Sequence, residues 1–569
     1  MKHLKKFCFL SLVLVFVCLS ASSQAQVSVN VNTMEPVYRD IDKLIANGLV
    51  YKIIMGQRPF SRKEVARITA EALHNLPRLE EKLQDPKLSD HDKEKVQARL
   101  DYLNPILNRL KKDFHEELVQ IGALQGEKYR YSWHVVDETT VDLIASNSPA
   151  RALNNNNGLG GIDAVINPLL QNQQGRHLIQ GTNLSLETSH WARVTDYFAA
   201  YLMPRFQLGL SANENPNDNN VYILNLYGKF NIKNFELQVG RDNILWGQGL
   251  NSGLQLSNNP RGLDMVKISN DSPLILPWVF RYLGAHKFSF YYADLGPEQF
   301  FSNSYLTGYK WSWLPISFFE FGLAMEVESG GQGSPDASFG QRVGAEFWMN
   351  PEAAGQDISN KIGGFDMRFK VPPLRGTELY LETMFEDRHN NLFSSAQWVD
   401  DAAYVAGIYL PRLNNTGSLD LRLEYHRMGP RFYRHGTFQS GVTENQFIIG
   451  DYLGPDAQGA YGYLNWDVNS KNILSWLLAY EGRSNDTWTA DNTSDFNLIK
   501  VQTFPTENRY RVGSSWLHRF EPFPLDVKLN VAYERVNNFN FVAGDSLNNY
   551  LGQITFQFNF DQWTRSLKN

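Results

Sequence analysis

The chain has 569 residues, with 54 basic against 60 acidic side chains, and 13% of its residues are aromatic. The net charge of −6 argues against nucleic acid as a partner. The only cysteines, Cys8 and Cys18, lie in the first 25 residues, so the rest of the chain carries neither disulfide nor thiol chemistry.

The opening stretch, MKHLKKFCFLSLVLVFVCLSASSQAQ, has three early lysines, an apolar run from Phe7 to Leu19 and small residues at Ser23 and Ala25. It reads as a secretory signal spanning residues 1–25, cleaved before Gln26. Cleavage takes the 54 basic residues to 51 against 60 acidic ones, a net charge of −9. No later apolar run reaches the length of a membrane-crossing helix.

Residues 26–125 have a helical period. Val37, Ile41, Leu44, Ile45 and Leu49 share one face of a first helix. Ser61 and Glu64 form a capping-box pair ahead of Val65, Ile68, Ala72 and Leu73 on a second. A third tract carries Val96, Leu100, Leu103, Leu107, Leu110, Phe114, Leu118 and Ile121, interrupted by Pro105. There either Asn104 caps a new start or the helix kinks. The acids of Asp90-His91-Asp92 suit a helix dipole better than a cation.

From Gly126 the period becomes two. Phe235, Leu237 and Val239 alternate with Glu236 and Gln238; Leu421, Leu423 and Tyr425 alternate with Arg422, Glu424 and His426. The same holds at Leu525 to Tyr533 and at Ile554 to Phe560. Long strands with one apolar face and one charged face, repeated to the chain's end, fit a closed barrel in lipid, which leaves no strand edge unpaired. At about 10 residues per strand plus turns and loops, residues 126–569 make roughly 18 strands. The intervening stretches, such as NNNNGLGG (154–161), NENPNDNN (213–220), ESGGQGSPDAS (328–338) and SNDTWTADNTSD (484–495), read as surface loops.

Candidate chemistry is sparse. Gly247-Gln-Gly249-Leu-Asn-Ser-Gly253 approaches a nucleotide-binding glycine pattern, but Leu254-Gln-Leu256-Ser and Asn258-Asn259-Pro260 follow it without a helical period, and a phosphate cradle needs a helix there. The glycines are expected to bend the backbone or admit a close approach. His389, His426 and His435 lack metal-ligand spacing, and no cofactor is expected. Carboxylates are plentiful, yet no pair stands out as catalytic, and the chain reads as a non-enzyme. Both signs of charge share the polar strand faces, which suits a lumen crossed by ion pairs. Trp246, Trp278, Trp398 and Trp488, near strand ends, suit either sugar stacking or an interfacial girdle.

Several ordered stretches resemble one family. They are Tyr38-Arg-Asp-Ile-Asp-Lys-Leu-Ile-Ala-Asn-Gly48, Gly56-Gln-Arg-Pro-Phe-Ser-Arg-Lys-Glu-Val65, Gly240-Arg with Trp246-Gly-Gln-Gly249, Leu256-Ser-Asn-Asn259, Gly308-Tyr-Lys310, Gly330-Gly-Gln-Gly333 and Ile449-Gly-Asp-Tyr-Leu-Gly-Pro-Asp456. Together they resemble the outer-membrane capsule-assembly proteins of the Wzi family. The resemblance implies an antiparallel barrel of eighteen strands over 126–569, with residues 26–125 as a helical plug at its periplasmic mouth. It implies a lectin-like function with capsular or other surface polysaccharide as partner, besides outer-membrane lipid and the barrel-assembly machinery. A porin or substrate-specific channel is the alternative. Arg241, Trp246, Gln248, Asn258 and Asn259 are the candidate glycan-binding residues.

Overall fold

A computed structural model describes residues 27–560 apart from 154–155, 173, 212–218, 251–252, 348, 350, 354, 387–393 and 492–496. The signal sequence, His389 and the tail from Asp561 to Asn569 lie outside the described residues.

Four helices come first: α1 (Val37–Ala46), α2 (Arg62–Glu80), α3 (Asp90–Asp113) and α4 (His115–Gln120). Ser61 caps α2, its hydroxyl accepting from the Glu64 amide at 3.0 Å. Pro105 neither starts nor breaks a helix, because α3 runs through it. The predicted apolar stripes meet one another: Ile41, Leu44, Val65, Ile68, Ala72, Leu100, Leu103 and Leu118 share one core.

Eighteen strands follow. They are β1 (Ser132–Ser146), β2 (Gly181–Arg193), β3 (Phe198–Ser211), β4 (Asn220–Ile232), β5 (Phe235–Asp242), β6 (Leu263–Asn270, resumed at Leu274–Ile275), β7 (Ala285–Asp294), β8 (Tyr305–Ile316) and β9 (Phe319–Ser329). The second half is β10 (Ser359–Val371), β11 (Thr377–Glu386), β12 (Ala402–Leu410), β13 (Leu419–Met428), β14 (Ala457–Asp467), β15 (Asn472–Arg483), β16 (Glu507–Phe520), β17 (Leu525–Asn537) and β18 (Ser546–Asn559). Each pairs antiparallel with the next, and β1 pairs with both β2 and β18, so the sheet closes. Val141, for example, sits between Leu186 and Phe556.

Burial is inverted relative to a soluble sheet. On β5, Gln238 is 0% exposed and Val239 is 51% exposed. On β13, Asp420, Arg422, Glu424 and His426 point inward while Leu423 and Tyr425 face out. An apolar outer wall over a polar lumen is what a barrel in hydrocarbon requires. The connections alternate. One end has short turns such as 233–234, 317–318 and 468–471, and the other has long loops such as 147–180, 243–262, 330–358 and 429–456.

The helices sit at the short-turn end, and α1 fixes them there. Lys43, fully buried, pairs with Asp420 at 2.6 Å and donates to the carbonyls of Pro411 and Gly417. Arg39 reaches Asp467 at 2.7 Å and Asp42 reaches Arg422 at 3.2 Å. Asp40, on the opposite face, holds Arg109 of α3. One turn of helix therefore carries an ionic face for the barrel and another for the bundle.

Candidate functional site

The stretch after β5 departs from a surface loop at once. Gly240 adopts φ +123°, and a Cβ there would lie 2.2 Å from the Leu226 carbonyl oxygen. The chain then turns into the lumen, where Leu245–Trp246 pairs antiparallel with Gln57–Arg58 from the segment between α1 and α2. Two segments, one entering from each end of the barrel, thus meet inside it. Gly247 donates its amide to the Gly56 carbonyl at 3.1 Å. It has φ +140°, and a Cβ would lie 2.3 Å from Glu382 Oε2. At Gly253 a Cβ would lie 2.0 Å from the Trp246 carbonyl. The glycines are there for close approach, as the missing helix implied.

The barrel wall receives this junction with carboxylates. Glu320 accepts the amides of Met55 and Gly56 at 2.9 and 2.7 Å. Glu382 accepts the Leu254 amide at 2.5 Å, and Glu424 the Leu250 amide at 2.7 Å. Asp366 pairs with Lys310 and accepts from Gln248 Nε2 at 2.7 Å. These lumenal acids are hydrogen-bond acceptors for a folded-in backbone, which leaves none of them placed as a free acid–base pair.

Four of the five predicted site residues belong to this junction. Trp246, 1% exposed, packs on Tyr291 with ring centroids 5.3 Å apart. Gln248 bridges Glu320 and Asp366. Asn258 accepts from the Thr33 hydroxyl at 2.6 Å, and Asn259 donates to the Ile448 carbonyl at 3.0 Å. Arg241 is apart from them on the outer wall, where it pairs with Asp264. The partners Gly56, Thr33 and Ile448 lie about 190 residues or more from the stretch in sequence, and no local pattern announces them.

The long-loop end carries a different surface. The turn Ala396–Asp400 and the hairpin Thr487–Asp491/Asn497–Gln502 lie side by side, Leu498 donating its amide to Asp400 at 3.4 Å. Trp398, 38% exposed, lies on the first and packs edge-on against Phe385 of β11 with ring centres 4.9 Å apart. Trp488, half-buried, lies on the second under the Lys500 ammonium, 4.7 Å from its ring centre. The Trp488 indole donates to Asp456 at 3.2 Å. Burial raises the carboxyls of Asp400 and Asp456 above the ordinary aspartate range, which makes them readier to donate as well as accept. Phe339 and Phe347 stand exposed on the loop after β9. Trp278, by contrast, is 85% exposed at the short-turn end. Aromatic faces beside amides and carboxyls can stack on sugar rings and bond their hydroxyls. Among the described residues no group of three or more histidine, cysteine or acidic side chains is placed to hold a metal ion.

The family model described as capsule assembly protein Wzi matches residues 163–551. Among solved structures, the chain is similar to Wzi of Escherichia coli, described as an outer membrane protein involved in group 1 capsule assembly and a carbohydrate-binding β-barrel. The two share 17% identity over 93% of this chain and 99% of that one, with a TM-score of 0.60. The outer membrane protein OprD from Pseudomonas aeruginosa aligns over 75% of this chain and 95% of its own at 9% identity, with a TM-score of 0.40. A comparison with curated proteins gives no match.

Proposed function

The chain belongs to the Wzi capsule assembly family, and from that premise we propose that it binds capsular or other surface polysaccharide from the outer membrane and retains it at the cell surface, without catalysing a reaction on it. The family match carries this reading, because it spans strands β2 to β17, the inward loop and most of the long loops. Residues 1–25 direct export, residues 26–125 plug the periplasmic mouth, and the long loops face outward. Outer-membrane lipid around the apolar wall and the barrel-assembly machinery during biogenesis are the other partners it requires. Two segments joined inside the lumen weigh against a steadily conducting pore.

Glycan contact then falls to the loop surface around Trp398 and Trp488, and the stretch from Arg241 to Asn259 shapes the scaffold beneath it. Each sugar contact is weak, of about 0.5–1.5 kcal/mol, and is summed along a repeating polymer. Binding of purified native polymer to the full-length protein tests this. Trp398→Ala and Trp488→Ala are expected to weaken binding by roughly threefold to tenfold each in a barrel that still migrates as folded on an unheated gel. Undiminished binding in the double variant would overturn the assignment.

A further inference from the structure

A cavity of about 350 Å³ lies between the helical bundle and the short-turn rim of β8 to β13. That volume is inside the roughly 300–1,000 Å³ range of small-molecule sites. Its wall is one-sided in charge. Arg78 and Lys82 come from the end of α2 and the turn after it, Arg99 from α3, Lys370 from the end of β10 and Arg412 from the turn after β12. The one acid in the wall, Glu378, is occupied by Arg368, whose Nε donates to it at 2.8 Å. Among the described residues none of the five cations has a carboxylate oxygen within 4 Å. The Lys370 ammonium is enclosed and has no hydrogen-bond partner. Arg99 and Arg412 spend their Nε groups on Asn47 and on the Arg375 carbonyl, at 3.1 and 2.9 Å.

An enclosed ammonium with no partner is costly unless something occupies the space before it. We propose that this cavity binds an organic phosphate, with Lys370, Arg99 and Arg412 as its inner ligands and Arg78 and Lys82 at its mouth. Five cations exceed what one carboxylate balances, whereas a phosphate ester carries up to two charges on three acceptor oxygens. Burial, and after it the nearby guanidiniums of Arg99 and Arg375, hold Arg412 below the ordinary arginine range. The rest of the wall includes Leu49, Leu79 and Phe318, which suits an organic body better than a bare ion. Phe318 is itself half exposed on the rim, so the cavity adjoins the apolar outer wall. The phosphate therefore has two possible carriers, the headgroup of an anionic phospholipid in the adjoining leaflet or a soluble phosphate ester.

Full-length protein in detergent should be titrated with glycerol 3-phosphate and with glycerol, and separately exchanged into nanodiscs of phosphatidylglycerol or phosphatidylcholine for native mass spectrometry. Saturable binding of glycerol 3-phosphate but not glycerol is expected. It should weaken by about tenfold or more in Lys370→Gln and in Arg412→Gln, and remain unchanged in Lys471→Gln on the same rim. Phosphatidylglycerol retained and displaced by glycerol 3-phosphate identifies the lipid as carrier; glycerol 3-phosphate binding without retained lipid identifies a soluble ester. Both support the site. No binding of either, or binding in both cavity variants equal to that of the wild type once their folded migration is verified, overturns it.

Discussion

Replacing Lys43 with methionine isolates the bond that holds the helical bundle in the barrel mouth. Methionine keeps most of the apolar stem and removes the ammonium. Asp420 then loses its 2.6 Å partner while remaining 2% exposed, and the carbonyls of Pro411 and Gly417 lose a donor. Breaking one side of a buried pair costs about 3–5 kcal/mol because a charge is left behind. Arg39 at 3.2 Å and the Asn465 amide at 2.8 Å still reach Asp420, which places the loss at the lower edge, about 3 kcal/mol. That corresponds to roughly a hundredfold shift in the docking equilibrium. The readout must be docking rather than barrel unfolding: amide exchange across Val37–Ala46, together with protease cleavage between the bundle and β1. Both should accelerate in Lys43→Met while the unheated protein still migrates as a folded barrel. Adding Asp420→Asn should recover part of the protection by removing the stranded charge. Wild-type exchange in the single variant would show that the ion pair does not hold the bundle.

Gly247→Ala is expected to lower the unfolding free energy by an amount on the order of 2 kcal/mol, read as a lower midpoint of heat-induced unfolding, from a left-handed backbone and displacement of Glu382. Gly296→Ala, with φ +83° and open space around it, is the control and should cost less. Acid should loosen the bundle through Glu116. Burial alone would raise its carboxyl, but the His134 imidazole 3.7 Å away, the Arg193 guanidinium and the hydrogen bond from the Ser132 hydroxyl outweigh it and bring the group down to about 2. A depressed acid contributes stability above its unfolded value near 4.5, and that contribution is lost as pH falls toward about 2. Urea-induced release of the bundle should show this slope between about pH 5 and 2, and Glu116→Gln should flatten it.

The architecture was legible because its signals are periodic. Alternation at Phe235 to Val239 and at Leu421 to His426 assigns an inner and an outer face before any coordinate, and the count of about eighteen strands follows from length. Helical spacing marked α1 to α3 for the same reason. Pro105 was ambiguous because a proline's effect depends on whether tertiary packing holds the helix around it, and α3 is held by the bundle core. The site was less legible. Trp246, Gln248, Asn258 and Asn259 have the polarity and aromaticity of a sugar contact, but the same chemistry serves a buried polar junction. Only the pairing of Gln57–Arg58 with Leu245–Trp246 separates the two, and pairing over that sequence distance leaves no local trace. The phosphate cavity was invisible for a related reason: its five cations come from α2, α3, β10 and two turns, each unremarkable in its own segment.

The stretches that carry the family resemblance converge on closure of the lumen. Tyr38 to Lys43 hold the bundle in the mouth through Arg39, Asp42 and Lys43. Gly56 to Arg58 meet Trp246 to Gly249 at the junction. Gly308 leaves room for the Tyr291 ring, which a Cβ would approach to 2.1 Å, and Lys310 pairs with Asp366, the acceptor for Gln248. The carbonyls of Ile449 and Gly450 accept from the Ser257 hydroxyl, and Asp451 accepts from His426. Residues so interlocked constrain one another: a change in any of them strands a buried donor, acceptor or charge elsewhere in the set. The loops bearing Trp398 and Trp488 lie at the long-loop end, outside this interlocked set, so the polymer contact proposed for them can change while the barrel beneath stays the same.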